Sequence, residues 1–134
     1  MSQTQEKFVI FGNPVAHSKS PQMQNAGFEA LEYDGNYEKH HLEDGSTIKD
    51  VFLENSYEGA NITVPHKEHA FANADEVRGL ANKIHAVNTY INENGKVVAY
   101  NTDAPGFLKA IESFGEVKNV LLLGAGGTAK AIAL

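Results

Sequence analysis

Phe8-Val9-Ile10-Phe11-Gly12-Asn13-Pro14 is the stretch from which the fold can be read outward. Four consecutive apolar residues ended by glycine and proline predict a buried strand running into a turn. Ser20-Pro21 comes next. A serine at an N-cap with proline at the first helical position starts a helix. That helix would carry Met23, Ala26, Ala30 and Leu31 on or near one face and end near Asp34-Gly35. Strand, turn and helix in this order form the repeating unit of parallel α/β sheets.

The alternation continues. Asn36 to Leu42 alternates weakly as a second strand, and Asp44 to Asn55 sets Ile48, Val51 and Phe52 at helical spacing. Ala60 to Val64 is a third strand, stopped by Pro65. Short helices are expected over His66 to Ala72 and Glu76 to Ile84. Ala86 to Ile91 and Lys96 to Tyr100 flank Asn94-Gly95, the commonest tight-hairpin turn. Asp103 is read as the N-cap of a helix bearing Phe107, Leu108, Ile111 and Phe114 and closed by Gly115. Asn119 to Leu123 is a last apolar strand, and a glycine-rich turn opens one more helix. The expected fold class is α/β, a mostly parallel sheet with one antiparallel hairpin member and helices on both faces.

Composition narrows the functions. Hydrophobic residues make up 42% and charged residues 21% of the 134 residues, a globular balance long enough to bury a core. The net charge of −6 is spread along the chain, and no basic run offers a phosphate-tracking surface, so nucleic acid is not an expected partner. With no cysteine there is neither a disulfide framework nor a thiolate metal site. Met1 to Lys7 is polar, and no apolar stretch approaches the roughly 20 residues needed to span a bilayer. A cytoplasmic location away from membranes follows, as monomer or homodimer.

Four constellations can carry chemistry. In His17-Ser18-Lys19-Ser20-Pro21, two hydroxyls flank a lysine at a helix entrance, where free N–H groups suit a carboxylate. Ser20 read simply as a cap is the competing interpretation. In Asn61-Ile62-Thr63-Val64-Pro65-His66-Lys67, a lysine follows the end of a strand, where parallel sheets gather ligands. A solvated surface lysine is the alternative. His66 and His69 form no recognised metal-ligand motif and are read as structural or surface residues, with no metal expected. Asn88-Thr89 and Asn101-Thr102-Asp103 lie at the ends of the two hairpin strands, and Asp103 is either a helix cap or a carboxylate close to Lys67. A lysine held between an opposite charge and burial could pass a proton to or from a sugar-like hydroxyl.

The fourth is Leu123-Gly124-Ala125-Gly126-Gly127-Thr128-Ala129-Lys130, which follows an apolar strand and opens a helix. That is the context of a dinucleotide-binding turn. The residue that would choose between NAD and NADP belongs about 20 positions further on, past Leu134. We therefore expect a fragment, with residues 1–103 a substrate-binding domain and 104–134 a linking helix and the first strand-turn-helix of a truncated Rossmann-like domain.

These blocks occur together and in order: Gly12 to Pro21, Gly59 to Glu68, Ala86-Val87-Asn88-Thr89, Asn101 to Gly106 and the glycine turn. Jointly they resemble the shikimate dehydrogenase family over nearly the whole chain. The resemblance implies NADPH-dependent reduction of 3-dehydroshikimate to shikimate, a step of aromatic amino-acid biosynthesis. It implies that Ser18 and Ser20 hold the substrate carboxylate, and that Asn61, Thr63, Asn88 and Asp103 surround the ring hydroxyls. It makes Lys67 and Asp103 the catalytic pair, and Gly124, Ala125, Gly126, Gly127 and Thr128 the cofactor turn. Other substrate contacts, a tyrosine and a glutamine, would come from the missing half. Two departures from the family pattern are Gln24, where histidine is frequent, and His85, where glycine is usual. An NAD-dependent quinate/shikimate dehydrogenase and an inactive substrate-binding module are the alternatives.

Overall fold

The computed structural model describes residues 5–134. The first four residues of the polar Met1 to Lys7 start lie outside the described residues.

β1 (Glu6–Gly12) pairs in parallel with β2 (Gly35–His41) on one side and β3 (Gly59–Ile62) on the other. This central position explains its unbroken apolar run, since a strand covered on both faces has no solvent side to leave polar. Val9 and Phe11 enter the larger core with Ile48, Phe52, Tyr57 and Tyr90, whereas Ile10 packs with Val15 and Tyr37 in a separate cluster that Phe8 and Phe28 border. The full sheet order is β2-β1-β3-β5-β6-β4. β5 (Thr89–Glu93) runs antiparallel to β3 and to β6 (Lys96–Tyr100), which makes it the antiparallel hairpin member. Asn94 and Gly95 both take positive φ, 55° and 88°, as a two-residue turn of matching twist requires.

The helices correct several expectations. α1 (Ser20–Ala30) begins one residue earlier than Ser20 as cap would give, because Lys19 is the capping position. No side chain caps this helix, and Ser18 Oγ instead accepts from Ser20 N at 3.3 Å in the turn that precedes it. Nor does α1 bury Met23 or Leu31, which are 65% and 78% exposed. It leans on the sheet through half-buried Gln24, Asn25 and Phe28, the last packing tilted against Phe8 with ring centroids 5.1 Å apart. α2 (Ile48–Glu54) buries Ile48 and Phe52 as their spacing predicts.

α3 (Lys67–Asn73) is followed by an edge strand, β4 (Glu76–Val77), where a helix was expected. The ladder to Val98 and Ala99 outweighs local propensity there, and only Ala81–Ile84 (α4) remains helical. Thr102, not Asp103, holds the capping position of α5 (Asp103–Ile111), without a side-chain cap bond, and a 3-10 turn leads to Gly115 at φ 75°. Asn119 to Leu123 forms no strand among the described residues, and Leu121 and Leu123 are 86% and 85% exposed. A strand exists only by pairing, and this segment has no neighbour to pair with among them. α6 (Gly127–Ile132) folds back so that Ala131 packs on Ile84, Ala86 and Ala104. Among the described residues no helix is long and apolar enough to cross a membrane, and no group of three metal-ligating side chains exists.

Candidate active site

Lys67 is the first residue of α3, just beyond the carboxyl end of β3. Its backbone is fixed from two sides. The preceding His66 is 1% exposed, donates Nε2–H to Leu42 O at 2.6 Å and gives its backbone N–H to Thr63 O at 3.0 Å. Lys67 O itself accepts from Val87 N at 3.0 Å. His66 is thus structural, as expected, and His69 is exposed. From this anchored backbone the Lys67 ammonium donates to Asp103 Oδ2 at 2.5 Å and to Thr128 Oγ1 at 3.0 Å.

Asp103 is free for that contact because it does not cap its helix. Its N–H is taken by Asn101 Oδ1 at 2.9 Å, and Asn101 in turn donates to Ala86 O at 3.0 Å from a buried position. The second carboxylate oxygen accepts from Asn88 Nδ2 at 2.9 Å. Asn88 uses its own Oδ1 to receive Thr102 N at 3.0 Å and Thr89 Oγ1 at 2.9 Å. The two hairpin ends are therefore stitched together by Asn88, and the Lys67–Asp103 pair sits on top with side chains 11% and 25% exposed.

Asn61 lies one strand inward, opposite Thr89. Tyr37 Oη–H donates to Asn61 Oδ1 at 2.6 Å, which turns the amide so that Nδ2 faces Asn88 O at 3.4 Å. Burial pushes the Tyr37 phenol well above the ordinary tyrosine range, so the hydroxyl stays a donor. Tyr37 is clasped in turn by Asn25 of α1, which donates to Tyr37 O at 2.9 Å and accepts from Tyr37 N at 2.8 Å. Neither residue was singled out from sequence. Gln24 lines a cavity of about 240 Å³ with Phe8, Phe28, Tyr37 and Asn61. Thr63 stands against Gly12, where an added Cβ would come within 2.5 Å of Thr63 Cγ2.

Ser18 and Ser20 lie on the connection between β1 and the first turn of α1. No hydrogen bond joins them to the Lys67 cluster among the described residues. Lys39 Nζ donates to Ala16 O at 2.5 Å and holds this loop against β2.

The glycine turn faces α3. Gly124 has φ 123°, and a Cβ built on Gly124 or Gly126 would meet nothing within 4 Å, so the backbone is open to close approach. Gly127 differs: a Cβ there would lie 3.3 Å from Ala86 Cβ and 3.4 Å from Lys67 Cβ and Cδ. A cleft of about 260 Å³ runs between the two elements, lined by Val64, Pro65, Lys67, Glu68, Gly126 and Thr128. An open glycine backbone beside a lysine fits a nucleotide cofactor. His85 adopts φ 56°, so the position where the family usually has glycine does require the left-handed region.

Known proteins are similar to this chain in sequence and in fold. The family described as shikimate dehydrogenase substrate binding domain matches residues 10–90. The shikimate dehydrogenase (NADP(+)) of Helicobacter hepaticus is 47% identical over 128 residues, which is 95% of this chain and 47% of that protein. A crystal structure of shikimate dehydrogenase in complex with NADP+ superposes with a TM-score of 0.88 at 36% identity, covering 96% of this chain and 47% of its own. Shikimate 5-dehydrogenase from Thermus thermophilus in complex with shikimate gives 0.81 at 36%, covering 96% and 51%. The chain spans about half the length of the relatives it matches. From a match that takes in most of the sheet and Lys67, we conclude that it belongs to the shikimate dehydrogenase substrate binding domain family.

Proposed function

We propose that this chain is the substrate-binding half of an NADP-dependent shikimate dehydrogenase, which reduces 3-dehydroshikimate to shikimate. The observation that carries the reading is the Lys67–Asp103 pair at the carboxyl ends of the strands. Ser18 and Ser20 hold the substrate carboxylate, and Asn61, Thr63, Asn88 and Asp103 bind the ring hydroxyls. Gly124, Ala125, Gly126, Gly127 and Thr128 form the cofactor turn. When bound, the nicotinamide supplies the hydride that the ketone carbon accepts. Lys67 gives a proton to the carbonyl oxygen as negative charge develops there, and Asp103 orients the ammonium and supports its charge. Residues 1–103 act as the substrate domain and 104–134 as the start of the nucleotide domain. Small, charged reactants of this kind suit the cytoplasm, and the protein works as monomer or homodimer.

Titration of shikimate into the 134-residue chain tests the binding half of this proposal. Weak saturable binding that Lys67→Ala weakens without abolishing is expected, and no binding at millimolar shikimate would sink it. The same chain is expected not to oxidise NADPH with dehydroshikimate, since one glycine turn cannot hold a dinucleotide. Steady turnover by the purified chain would overturn the assignment of roles.

A further inference from the structure

We propose that Thr128 is a positioning residue for Lys67, so that the nucleotide-binding turn itself holds the proton-donating ammonium in place. The inference rests on the reading of Lys67 given above and extends the part played by Thr128 beyond the cofactor. Lys67 Nζ has three hydrogens. Asp103 Oδ2 takes one at 2.5 Å, Thr128 Oγ1 takes another at 3.0 Å, and the third is left for a ligand. With two of its three donors fixed by acceptors on different elements, the ammonium can point its remaining hydrogen in one direction only. Asp103 alone would leave it free to swing about that single bond.

Two further contacts hold α6 at the distance this requires. Lys130 forms an ion pair with Glu68, the residue after Lys67. Gly127 brings its backbone so close to Lys67 that an added methyl would touch Lys67 Cβ and Cδ at 3.4 Å. The hydroxyl that accepts from Lys67 keeps its own hydrogen for an acceptor in the adjoining cleft. Through Thr128, any shift of the glycine turn reaches Lys67 directly.

The experiment compares Thr128→Val, which keeps shape and removes the acceptor, with Thr128→Ser, which keeps the acceptor and removes the methyl. In the 134-residue chain, side-chain NMR of lysine labelled with ¹³Cε and ¹⁵Nζ reports the order of the Lys67 ammonium, and calorimetry reports shikimate affinity. We expect valine to loosen the Lys67 ammonium and weaken shikimate binding about three- to tenfold, the range of one hydrogen bond of ordinary strength. Serine restores both, and thermal midpoints stay within a few degrees. Unchanged Lys67 order in the valine variant, equal loss in the serine variant, or loosening with no change in affinity would each overturn the proposal. A wild-type chain with an ordered Lys67 that takes up no shikimate fails the functional reading instead, and lysine order alone then decides for or against Thr128.

Discussion

Lys67 and Asp103 are 36 positions apart in sequence, yet their charged ends meet at 2.5 Å, and Asn88 grips the carboxylate oxygen that Lys67 leaves free. One carboxylate thus serves both the lysine and the hairpin, and the first prediction turns on that carboxylate.

In a chain that carries a complete nucleotide domain, Lys67→Ala is expected to lower kcat by about 10²–10⁴, the range for a positioned proton donor, with a smaller change in KM. Asp103→Asn lowers kcat and raises KM together, because a ring hydroxyl loses a partner too. If the pair acts as a unit, the double variant is little worse than Lys67→Ala. Strictly additive losses in steady-state kinetics would show that the two work apart.

Tyr37→Phe removes the only donor seen on Asn61 Oδ1 among the described residues. A half-buried amide oxygen left unpartnered costs about 1–3 kcal/mol, and Asn61 is then free to flip its amide. Chemical denaturation is expected to show a loss on that scale, and shikimate affinity to fall because Nδ2 no longer has a fixed direction. Unchanged affinity in a destabilised variant would confine Tyr37 to the fold.

His85 stacks on Phe71 at 5.0 Å while its backbone sits at φ 56°. His85→Ala keeps the backbone strain and loses the stack, worth about 0.5–1.5 kcal/mol. His85→Gly loses the same stack but relieves a left-handed strain of about 1–2 kcal/mol. The glycine variant should therefore melt above the alanine variant. The reverse order would mean that the left-handed backbone is not a burden here.

The Glu76 carboxyl is pulled from the ordinary 4.5 to about 2, first by a hydrogen bond from Arg78 and then by one from Lys96. A carboxylate whose folded value is depressed stabilises the fold fully above about 4.5 and loses that support as pH falls toward 2. β4 is the edge strand it anchors. The amides of Asp75 and Arg78, bonded to Val97 O and Ala99 O, should lose hydrogen-exchange protection relative to β1 amides over that window. A protection ratio that stays constant across the same window would separate Glu76 from the stability of the edge.

Local chemistry made part of this molecule readable before any coordinates. The run from Phe8 to Phe11 declares a strand covered on both sides, and Asn94-Gly95 declares its turn, because neither needs knowledge of a distant partner. Where a partner decides, the sequence misleads. Glu76-Val77 becomes a strand only because β6 lies beside it, and Asn119 to Leu123 fails to become one for lack of a neighbour among the described residues. Helix caps are hard to place to the residue: Ser20 and Asp103 have the right chemistry, yet Lys19 and Thr102 hold the capping positions and neither makes a side-chain cap bond. In the site, Lys67 and Asp103 could be picked out because each follows a strand, and Asn88 because it stands at the end of a hairpin strand. Asn25 and Tyr37 could not, since a helix asparagine and a strand tyrosine carry no mark of the bond between them.

The antiparallel hairpin has a practical consequence. Because β5 starts and β6 ends at the same edge of the sheet, Asn88 and Asp103 arrive together, and the Asn94-Gly95 turn is carried to the far end of a five-residue ladder. At the rise of an extended strand that is roughly 15 Å from the ligand end. The turn is exposed, and Gly95 N is held by Asn92 rather than by any site residue. A cysteine introduced at Asn94 would be the sole thiol in the chain, so a dye or surface tether could be attached there while the ligand end stays untouched.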